Sequence, residues 1–419
     1  MPTAMIASPH RTGVTTEQAR ASRFAPADRR DQAFATVEIH RDIAAITPAW
    51  SALLPAALSS PYQNPDFLRA WADHAGAAEG AKPLIAIARD ASGEPTAILP
   101  LCATSCFGVR IARFLGGSHV NYNMAVIRRD ALDAFAGGEA ARLFALTARI
   151  AGIDAYVLVN QPVAWMGTPN PLASLPRQPS TDCAFSGPLA ASLEEHFTLH
   201  MSSKQRSNHR RKMRRFEERG TPRFFRAETQ VERRRLLEAF LAQKAAQLSA
   251  RGIGDAFARP GVRAFLDEAC GLTAAPPTVD LYGFEMDGEV VAVTGAISSG
   301  SRHSGMFNSI TSGEHAKYSP GEILMNFVVE EQIRRGLSSF DLGVGAATYK
   351  KLFCPDAEPL FDSIFGVTLK GRATAMALSG AAALKARIKA DPRAYGMIEK
   401  IRKARASKRP EFDDRIADA

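Results

Sequence analysis

The chain has 419 residues, of which 46% are hydrophobic and 23% charged, and its formal net charge at pH 7 is +9. This length exceeds what one hydrophobic core usually organises, so two domains are expected. The composition is that of a globular protein and excludes a fibrous or wholly disordered chain. No run of about 18 uninterrupted apolar residues occurs, so the sequence predicts no transmembrane segment. The positive charge admits phosphates, anionic sugars or RNA as partners without choosing among them.

Residues 1–34 contain many Arg, Ser and Ala residues mixed with acids, which predicts a disordered leader. This segment has no long apolar stretch, so a secretory signal is not expected. A cytoplasmic location is predicted, with a peripheral position at the inner membrane as the alternative.

Two segments about half a chain apart resemble each other: "PLIAIARDASGEPTAILPLCA" at 83–103 and "VDLYGFEMDGEVVAVTGAISS" at 279–299. Each reads as a β-hairpin, with Gly93-Glu94 or Gly288-Glu289 in its turn. Helical segments precede each hairpin, and a further apolar strand follows it. We therefore expect an internal duplication and an α/β fold of two tandem units with mixed, mostly antiparallel sheets flanked by helices. The predicted boundaries are 35–190, 191–375 and a basic helical tail at 376–419.

The stretch "KYSPGEILMN" at 317–326 predicts a helix start, with Ser319 as N-cap and Pro320 in the first position. Free N–H groups and the helix dipole at Gly321 would suit a phosphate. Alternatively, Ser319 and Glu322 form a capping box, which would place a carboxylate where the phosphate would bind. The local sequence leaves both hypotheses open.

The stretch "FDLGVGAATYKKLF" at 340–353 predicts a strand followed by a loop with several candidate catalytic residues. Asp341 could act as a base, and the Tyr349 hydroxyl could donate a proton to a leaving group. Lys350 could stabilise developing negative charge. The alternatives are an aspartate that caps a turn and lysines that are merely solvated.

Residues 204–215 hold seven Lys or Arg residues and no acid. This predicted helix either binds an anionic ligand or is a solvated surface. Sequence-specific reading of nucleic acid is disfavoured because aromatic residues are not interleaved. In the strand at 302–310, His303 could be a general base or an ordinary strand residue. The candidate substrate-binding residues are Lys204, Arg206, Arg210, Arg211, His303 and Asn308.

No metal site is predicted. His196 and His200 stand four residues apart, but the glutamate of an H-E-x-x-H motif is absent and no third ligand is apparent.

The stretch "YSPGEILMNFVVEEQIRRGLSSFDLGVGAATYKKLF" resembles the C-terminal signature of the cellulose-biosynthesis acetyltransferase family. That family is part of the GNAT superfamily and is similar to the Fem-type aminoacyl transferases. Upstream, "SSKQRSNHRRKMRRFEERG" and "SSPYQNPDFLRAW" resemble its basic helix and its entry motif. The resemblance spans roughly residues 36–370, and the residues that match the C-terminal signature are Tyr318, Ser319, Pro320, Gly321, Gly336, Phe340, Asp341, Leu342, Gly343, Gly345, Tyr349, Lys350 and Phe353.

The resemblance implies two GNAT-like units, with the active site in the second. It implies acyl transfer from acetyl-CoA to an amine or hydroxyl of a small molecule or glycan, in exopolysaccharide or cell-envelope biosynthesis. Residues 318–321 would bind the coenzyme, and Asp341, Tyr349 and Lys350 would be catalytic. One departure is clear, since Tyr318 and Ile323 occupy the first and last places of the usual GNAT diphosphate loop. Charged tRNA as the donor, or a non-catalytic polyanion-binding protein, are the alternatives.

Overall fold

The computed structural model describes residues 17–19, 32–345 and 349–391. Most of the predicted leader and the tail beyond residue 391 therefore lie outside the described residues. Within the predicted leader, Glu17–Ala19 forms a strand that pairs with residues 37–39, and Phe34 is buried against Phe135. These parts of the leader are ordered, which corrects the prediction of disorder for them.

The described strands form two large sheets and one two-stranded ribbon. The strands are β1 (Glu17–Ala19), β2 (Thr36–His40), β3 (Ala57–Leu58), β4 (Lys82–Arg89), β5 (Pro95–Cys106), β6 (Val109–Phe114), β7 (Val126–Arg128), β8 (Ala155–Pro162), β9 (Ala164–Trp165), β10 (Thr168–Pro169), β11 (Gln178–Pro179), β12 (Ala184–Pro188), β13 (Pro222–Arg226), β14 (Asp280–Met286), β15 (Glu289–Ser299), β16 (Arg302–Ile310), β17 (Ser339–Val344), β18 (Asp356–Glu358) and β19 (Leu360–Gly366).

Helices flank both sheets. They are α1 (Thr47–Leu53), α2 (Pro65–Trp71), α3 (Leu132–Ala134), α4 (Ala140–Ala151), α5 (Leu193–His200), α6 (Ser203–Glu217), α7 (Gln230–Ala250), α8 (Val262–Ala269), α9 (Pro320–Arg334), α10 (Lys350–Phe353) and α11 (Leu369–Ala390). Among the described helices, none combines the length and the apolar character that crossing a bilayer requires.

The two hairpins predicted from the repeated segments are present as β4–β5 and β14–β15. Strand β5 is buried over most of its length and β15 likewise, which explains why both read as continuous apolar runs rather than alternating ones. In each unit the third strand then pairs in parallel with the strand that follows the next long helix: β6 with β8, and β16 with β17. The parallel pairing requires a crossover helix, and α4 and α9 supply it.

The two sheets repeat the same strand order. The first runs β2-β4-β5-β6-β8-β19-β11, with β1 added at its edge and the short β3 and β7 off this path, and the second runs β13-β14-β15-β16-β17-β12-β18. This position-by-position match supports the predicted duplication.

The sixth strand of each sheet comes from the other half of the chain. Strand β12 pairs with β17 in the second sheet, and β19 pairs with β8 in the first. Helix α11 packs on β19 and β8. The predicted boundary between residues 190 and 191 therefore divides the chain differently from the sheets, and the helix assigned to a tail from residue 376 already begins at Leu369. Local sequence could not reveal this exchange because a strand's apolar pattern does not state which sheet it joins.

The two units share an apolar interface. Phe67 of α2 packs edge-on against Phe265 of α8, with ring centroids 5.4 Å apart. Beside them, Glu268 accepts from Arg69 at 2.8 Å and lies 2.8 Å from the His74 ring nitrogen. Side chains of the first unit are thereby held against helix α8 of the second unit.

Candidate active site

The parallel strands β16 and β17 diverge shortly after they begin. Their register pairs Arg302 with Ser339, His303 with Phe340 and Ser304 with Asp341, and it ends there. Beyond this point residues 305–308 of β16, and Leu342 and Val344 of β17, line a cleft of about 160 Å³. There the two strand edges no longer pair with each other, and side chains bind several of their backbone groups.

Asn121, from the first unit, occupies the point of divergence. Its amide nitrogen donates to the Gly305 carbonyl at 3.0 Å and to the Tyr62 hydroxyl at 2.7 Å. Its oxygen accepts from the Val344 N–H at 3.4 Å. The side chain therefore replaces part of the missing strand pairing and keeps the two strands apart. Gly343 has a left-handed φ of 68°, and a Cβ there would lie 2.2 Å from the Asn121 amide nitrogen, so this contact requires glycine.

Two predicted residues meet in the cleft: the Asn308 amide donates to the Tyr349 hydroxyl at 2.8 Å. Tyr349 as a whole is 42% exposed, but its hydroxyl lies among the cleft residues. Burial raises the pKa of Tyr349, and the Asn308 hydrogen bond opposes that rise. The phenol therefore remains protonated throughout the physiological pH range.

Two lysines also line the cleft. Lys350 is buried and donates to the carbonyls of Gly343 at 3.2 Å and Val344 at 2.8 Å. Lys244 of α7 donates to the Asn308 carbonyl at 2.9 Å. Burial lowers the pKa of both side chains. Each ammonium thus binds a carbonyl at the end of a diverging strand and has N–H groups left for a ligand.

Asp341 does not reach the cleft, contrary to its predicted place as a base. Its side chain is 0% exposed, and its oxygens accept from Arg302 at 2.7 Å and from the Gly343 N–H at 3.0 Å. The Ser304 hydroxyl donates to the same carboxylate. Burial raises the pKa of Asp341, and Arg302 opposes that rise. A carboxylate so fully engaged holds the paired ends of β16 and β17 together and has no free oxygen for a substrate.

Arg302 is the centre of this buried polar cluster. It is 2% exposed and binds both oxygens of Glu358, at 2.7 and 2.6 Å. Its guanidinium also donates to the Tyr122 hydroxyl at 3.1 Å and lies 4.2 Å from the centre of the Trp165 ring. Residues from both units therefore surround one cation, directly behind the point where the strands diverge.

His303 also lies away from the cleft. Its ring stacks on Phe340, and its Nδ1 is 2.9 Å from the Ser298 hydroxyl. The side chain is buried, and burial lowers its pKa to about 3. It is an ordinary core residue of the strand, so the prediction of a substrate-binding or basic role for His303 is wrong. Adjacent strand residues point to opposite faces, and the sequence did not show which face the cleft is on.

Helix α9 begins at Pro320 as predicted, but the predicted capping box is absent. Ser319 has a left-handed backbone, with φ 62°, and its side chain makes no cap hydrogen bond. Glu322 instead pairs with Lys212 of α6 at 2.6 Å. The carboxylate is thus partnered elsewhere and does not fold back onto the first turn. In that turn the N–H groups of Glu322 and Ile323 donate to the Ser319 carbonyl and Pro320 has no N–H, which leaves the N–H of Gly321.

Close packing explains why position 321 is a glycine. A Cβ there would lie 2.9 Å from the Ile310 side chain, at the end of β16. The turn at 318–321 does not line the cleft itself, but it adjoins the strand that does. From Asn308 to Ile310 the strand rises by about 7 Å. Beside this turn, the Tyr318 ring lies 4.5 Å from the Arg219 guanidinium and 5.1 Å from the Lys317 ammonium.

The basic helix α6 packs along α9 and away from the cleft. Arg206 faces inwards and donates to the carbonyls of Phe197 and Met201, at 3.3 and 2.8 Å, which caps the end of α5. Arg206 was predicted to bind substrate, but in the structure it caps the end of α5. Lys204, Arg210 and Arg211 are exposed, and Arg211 donates to Asn208 at 3.1 Å. They form a surface beside the α9 start and contribute nothing to the cleft.

Three residues that define this region were missed by sequence reasoning: Asn121, Lys244 and Arg302. Asn121 and Lys244 are far from the catalytic signature in sequence, and a single polar residue in either segment gives no signal. Arg302 could have been found from the sequence, because it stands at the start of an apolar strand. An arginine buried there requires anionic partners, which predicts a buried ion pair. Among the described residues, no group of three or more His, Cys, Asp or Glu side chains is placed to hold a metal ion.

The region that contains the cleft matches a known protein family. Residues 203–351 match the acetyltransferase (GNAT) domain. The match runs from the start of α6 to Lys351 and includes every cleft residue contributed by the second unit. The chain is therefore an acyltransferase with a GNAT domain.

The fold is similar to that of FemX, with a TM-score of 0.51 and 9% identity over 76% of this chain and 96% of that one. A putative lysylphosphatidylglycerol synthetase C-terminal domain from Agrobacterium fabrum gives a TM-score of 0.48 at 13% identity, covering 82% and 97% of the two chains. A tandem GNAT protein from the clavulanic acid biosynthesis pathway gives 0.43 at 12% identity, covering 79% and 99%. No curated protein sequence matches the chain. The predicted fold class, α/β with two tandem GNAT-like units, is confirmed.

Proposed function

We propose that this protein transfers an acyl group, as in an acetyltransferase, from acyl-CoA to an amine in the cleft between β16 and β17. The observation that supports this most directly is the divergence of the two parallel strands after three paired residues, with the Tyr349 hydroxyl and two lysines inside the opening. The GNAT domain match covers both strands. A narrow cleft between two diverging strands suits an extended thioester, which the Tyr349 hydroxyl and the two ammonium groups would position.

The residues present fit an acyl-CoA donor. Its thioester supplies an activated acyl carbon and a thiolate leaving group. Tyr349, held by Asn308, keeps a proton at the site where a thiolate would need one. Lys350 holds a positive charge at the end of β17, where it would stabilise negative charge on the thioester oxygen. At the start of α9, with Glu322 tied to Lys212, the Gly321 N–H and the positive end of the helix dipole would face the diphosphate.

The cleft favours an amine over a hydroxyl as the acceptor. Its described lining contains Tyr, Lys, Asn and Thr but no carboxylate or imidazole. An alcohol requires a base before it attacks, whereas a neutral amine attacks first and releases its proton afterwards. The proton that the amine loses balances the one that the leaving thiolate takes from Tyr349, so the enzyme ends in its starting protonation state. The resemblance to the cellulose-biosynthesis family supports a glycan amine of the exopolysaccharide or cell envelope as the acceptor class.

Lys212→Met is expected to weaken acetyl-CoA binding about tenfold, because the freed Glu322 carboxylate would face the coenzyme diphosphate at the helix start. Glu322→Gln removes that carboxylate and is expected to bind at least as tightly as the wild type. Titration calorimetry of acetyl-CoA into the purified protein measures both.

The exposed Lys204 on the same helix provides the matched control, and Lys204→Met is expected to leave affinity unchanged. Absence of any acetyl-CoA binding by the wild type would reject the coenzyme as donor. Equal affinities for wild type and Lys212→Met would place the diphosphate away from the α9 start.

A second candidate donor is an aminoacyl-tRNA. The observation that favours it is the breadth of the basic surface, since Arg210, Arg211, Arg214 and Arg215 are all exposed on α6, close to Arg219 and Lys317. This surface extends beyond what one coenzyme diphosphate needs, and it suits a polyanionic backbone.

The tRNA hypothesis predicts steeply salt-dependent binding. In Arg210→Gln/Arg211→Gln, the slope of log K against log salt is expected to fall by about 1 for each RNA phosphate that the variant no longer neutralises. Arg129→Gln/Arg149→Gln, which removes two exposed charges from the first unit, is the control and should not change the slope. Failure of the wild type to shift charged tRNA in low salt would reject this donor.

A further inference from the structure

Helix α11 has two contrasting sides. Gly371 and Ala375 are buried where the helix packs on the first sheet. Three large apolar side chains of the same helix are exposed: Leu369 by 83%, Met376 by 76% and Leu384 by 59%. A surface helix normally places such residues on its packed side, so this arrangement is inverted with respect to the usual amphipathic pattern.

The exposed apolar residues form one stripe. At about 100° per residue, Leu369, Met376 and Leu384 fall within an arc of about 80°, on the side opposite Gly371 and Ala375. Between them the stripe contains only small residues, among them Ala373, Ala377, Gly380 and Ala383. It runs from Leu369 to Leu384, a rise of about 23 Å along the helix. An exposed apolar surface of this extent marks an interaction site.

The charges along the same helix are all positive. Residues 369–390 include five basic side chains and no acid; the basic residues are Lys370, Arg372, Lys385, Arg387 and Lys389. Lys370 pairs with Asp154 at 3.0 Å, and Lys389 pairs with Asp182, which fixes both ends of the helix to the first unit. Arg372, Lys385 and Arg387 are exposed and form no ion pair with any described residue. The surface therefore combines an apolar stripe with three cations that no residue in the described part of the chain pairs.

A fourth exposed apolar residue lies beside the start of this helix. Phe107, at the tip of the β5–β6 hairpin, is fully exposed and has a left-handed φ of 48°. Lys370 of α11 donates to the carbonyl of the next residue, Gly108, at 2.6 Å. The aromatic ring therefore belongs to the same face of the molecule as Leu369.

We propose that this apolar-basic face, formed by Phe107, Leu369, Met376, Leu384 and the cations of α11, binds the surface of an anionic lipid bilayer. A helix lying in a bilayer interface buries an apolar stripe among the acyl chains while flanking cations contact anionic headgroups. The charge pattern matches that partner, whereas a free polyanion would not need the apolar stripe. None of these residues lines the catalytic cleft, so the proposal does not depend on the acyl donor.

The test is sedimentation of the full chain with vesicles of phosphatidylcholine containing about one third phosphatidylglycerol, compared with pure phosphatidylcholine. Binding is expected only to the anionic vesicles, and Leu369→Glu/Met376→Glu is expected to weaken it at least tenfold. Arg372→Gln/Arg387→Gln is expected to weaken binding about tenfold and to reduce its dependence on salt. Val231→Glu, an equally exposed apolar residue at the start of α7 in the second unit, is the matched control and should bind like the wild type.

All of the substituted residues are exposed, so the variants are expected to keep the wild-type melting temperature, which circular dichroism checks. Failure of the wild-type chain to bind anionic vesicles would overturn the proposal. Undiminished binding by Leu369→Glu/Met376→Glu would also overturn it, because the lipid contact would then lie elsewhere, for example on α6. If that variant instead turned a dimer into a monomer while vesicle binding persisted, the face would be an interface between copies of the chain.

Discussion

Arg302→Met is expected to lower the free energy of unfolding by about 3–5 kcal/mol, because it leaves two carboxylates without their buried cation. Arg302 binds Asp341 at 2.7 Å and both oxygens of Glu358, and the side chains of Arg302 and Asp341 are almost fully buried. Methionine has similar length, so the loss would come mainly from charge and not from a cavity. Urea unfolding of the wild type and the variant measures the difference.

The pH dependence of the same variant identifies the cause. In the wild type, burial raises the pKa of Glu358, but Arg302 outweighs this and holds it below its usual value. Without Arg302, the pKa values of Glu358 and Asp341 should both lie above those in the unfolded chain. Stability would then increase as the pH falls from about 8 to about 5, since the folded state would bind more protons than the unfolded state.

The control is Arg335→Met, a partly exposed arginine that donates to the Tyr282 hydroxyl at 3.0 Å. Its loss is expected to cost no more than about 1 kcal/mol, because solvent screens the charge. If Arg302→Met were no more destabilising than Arg335→Met, the polar cluster would not be what holds the paired ends of β16 and β17 together.

Tyr349→Phe is expected to lower the kcat of acyl transfer about 100-fold, with little change in the KM for the donor. The substitution removes only the hydroxyl that Asn308 holds in the cleft, and the ring can keep its place. Because the pKa of Tyr349 is raised, wild-type activity that depends on this proton should be independent of pH through the neutral range. The rate is measured as thiol release with an amine acceptor from a panel of amines and aminosugars.

A matched control is available in the first unit. The Tyr156 hydroxyl donates to the Phe144 carbonyl at 2.9 Å, so Tyr156→Phe should cost about 1 kcal/mol of stability and leave kcat unchanged. An undiminished kcat in Tyr349→Phe would exclude the phenol as the proton donor. Lys350 offers a less clear test because its ammonium also supports two carbonyls of the neighbouring strand, so Lys350→Met would change stability and catalysis together.

Much of the fold followed from local pattern in the sequence. Both repeated hairpins, the helices before them and the α9 start at Pro320 form where apolar period and turn residues predict them. These elements form through interactions between residues that are close together in the sequence. The family signature placed Tyr349 and Lys350 in one site, and both line the cleft together with Asn308, which was predicted separately to bind substrate. The roles of all three remain predictions.

Other predictions failed where long-range contacts decide the outcome. Asp341 and His303 have residue types suited to catalysis, but both side chains are enclosed, one by Arg302 and the other by Phe340. The capping box between Ser319 and Glu322 gave way to the pair with Lys212, which stands over 100 residues earlier in the chain. The four-residue capping pattern alone does not show that a distant lysine will pair with its glutamate.

The sequence by itself determined an α/β protein made of two similar units, and it located the catalytic signature in the second unit. Only the tertiary structure decided which side chains face the cleft, that β12 and β19 are exchanged between the sheets, and that Asn121 of the first unit holds β16 and β17 apart. The physical reason is the range of the interactions. Periodicity and turns depend on neighbouring residues, whereas burial, ion pairing and strand order depend on groups that only folding brings together.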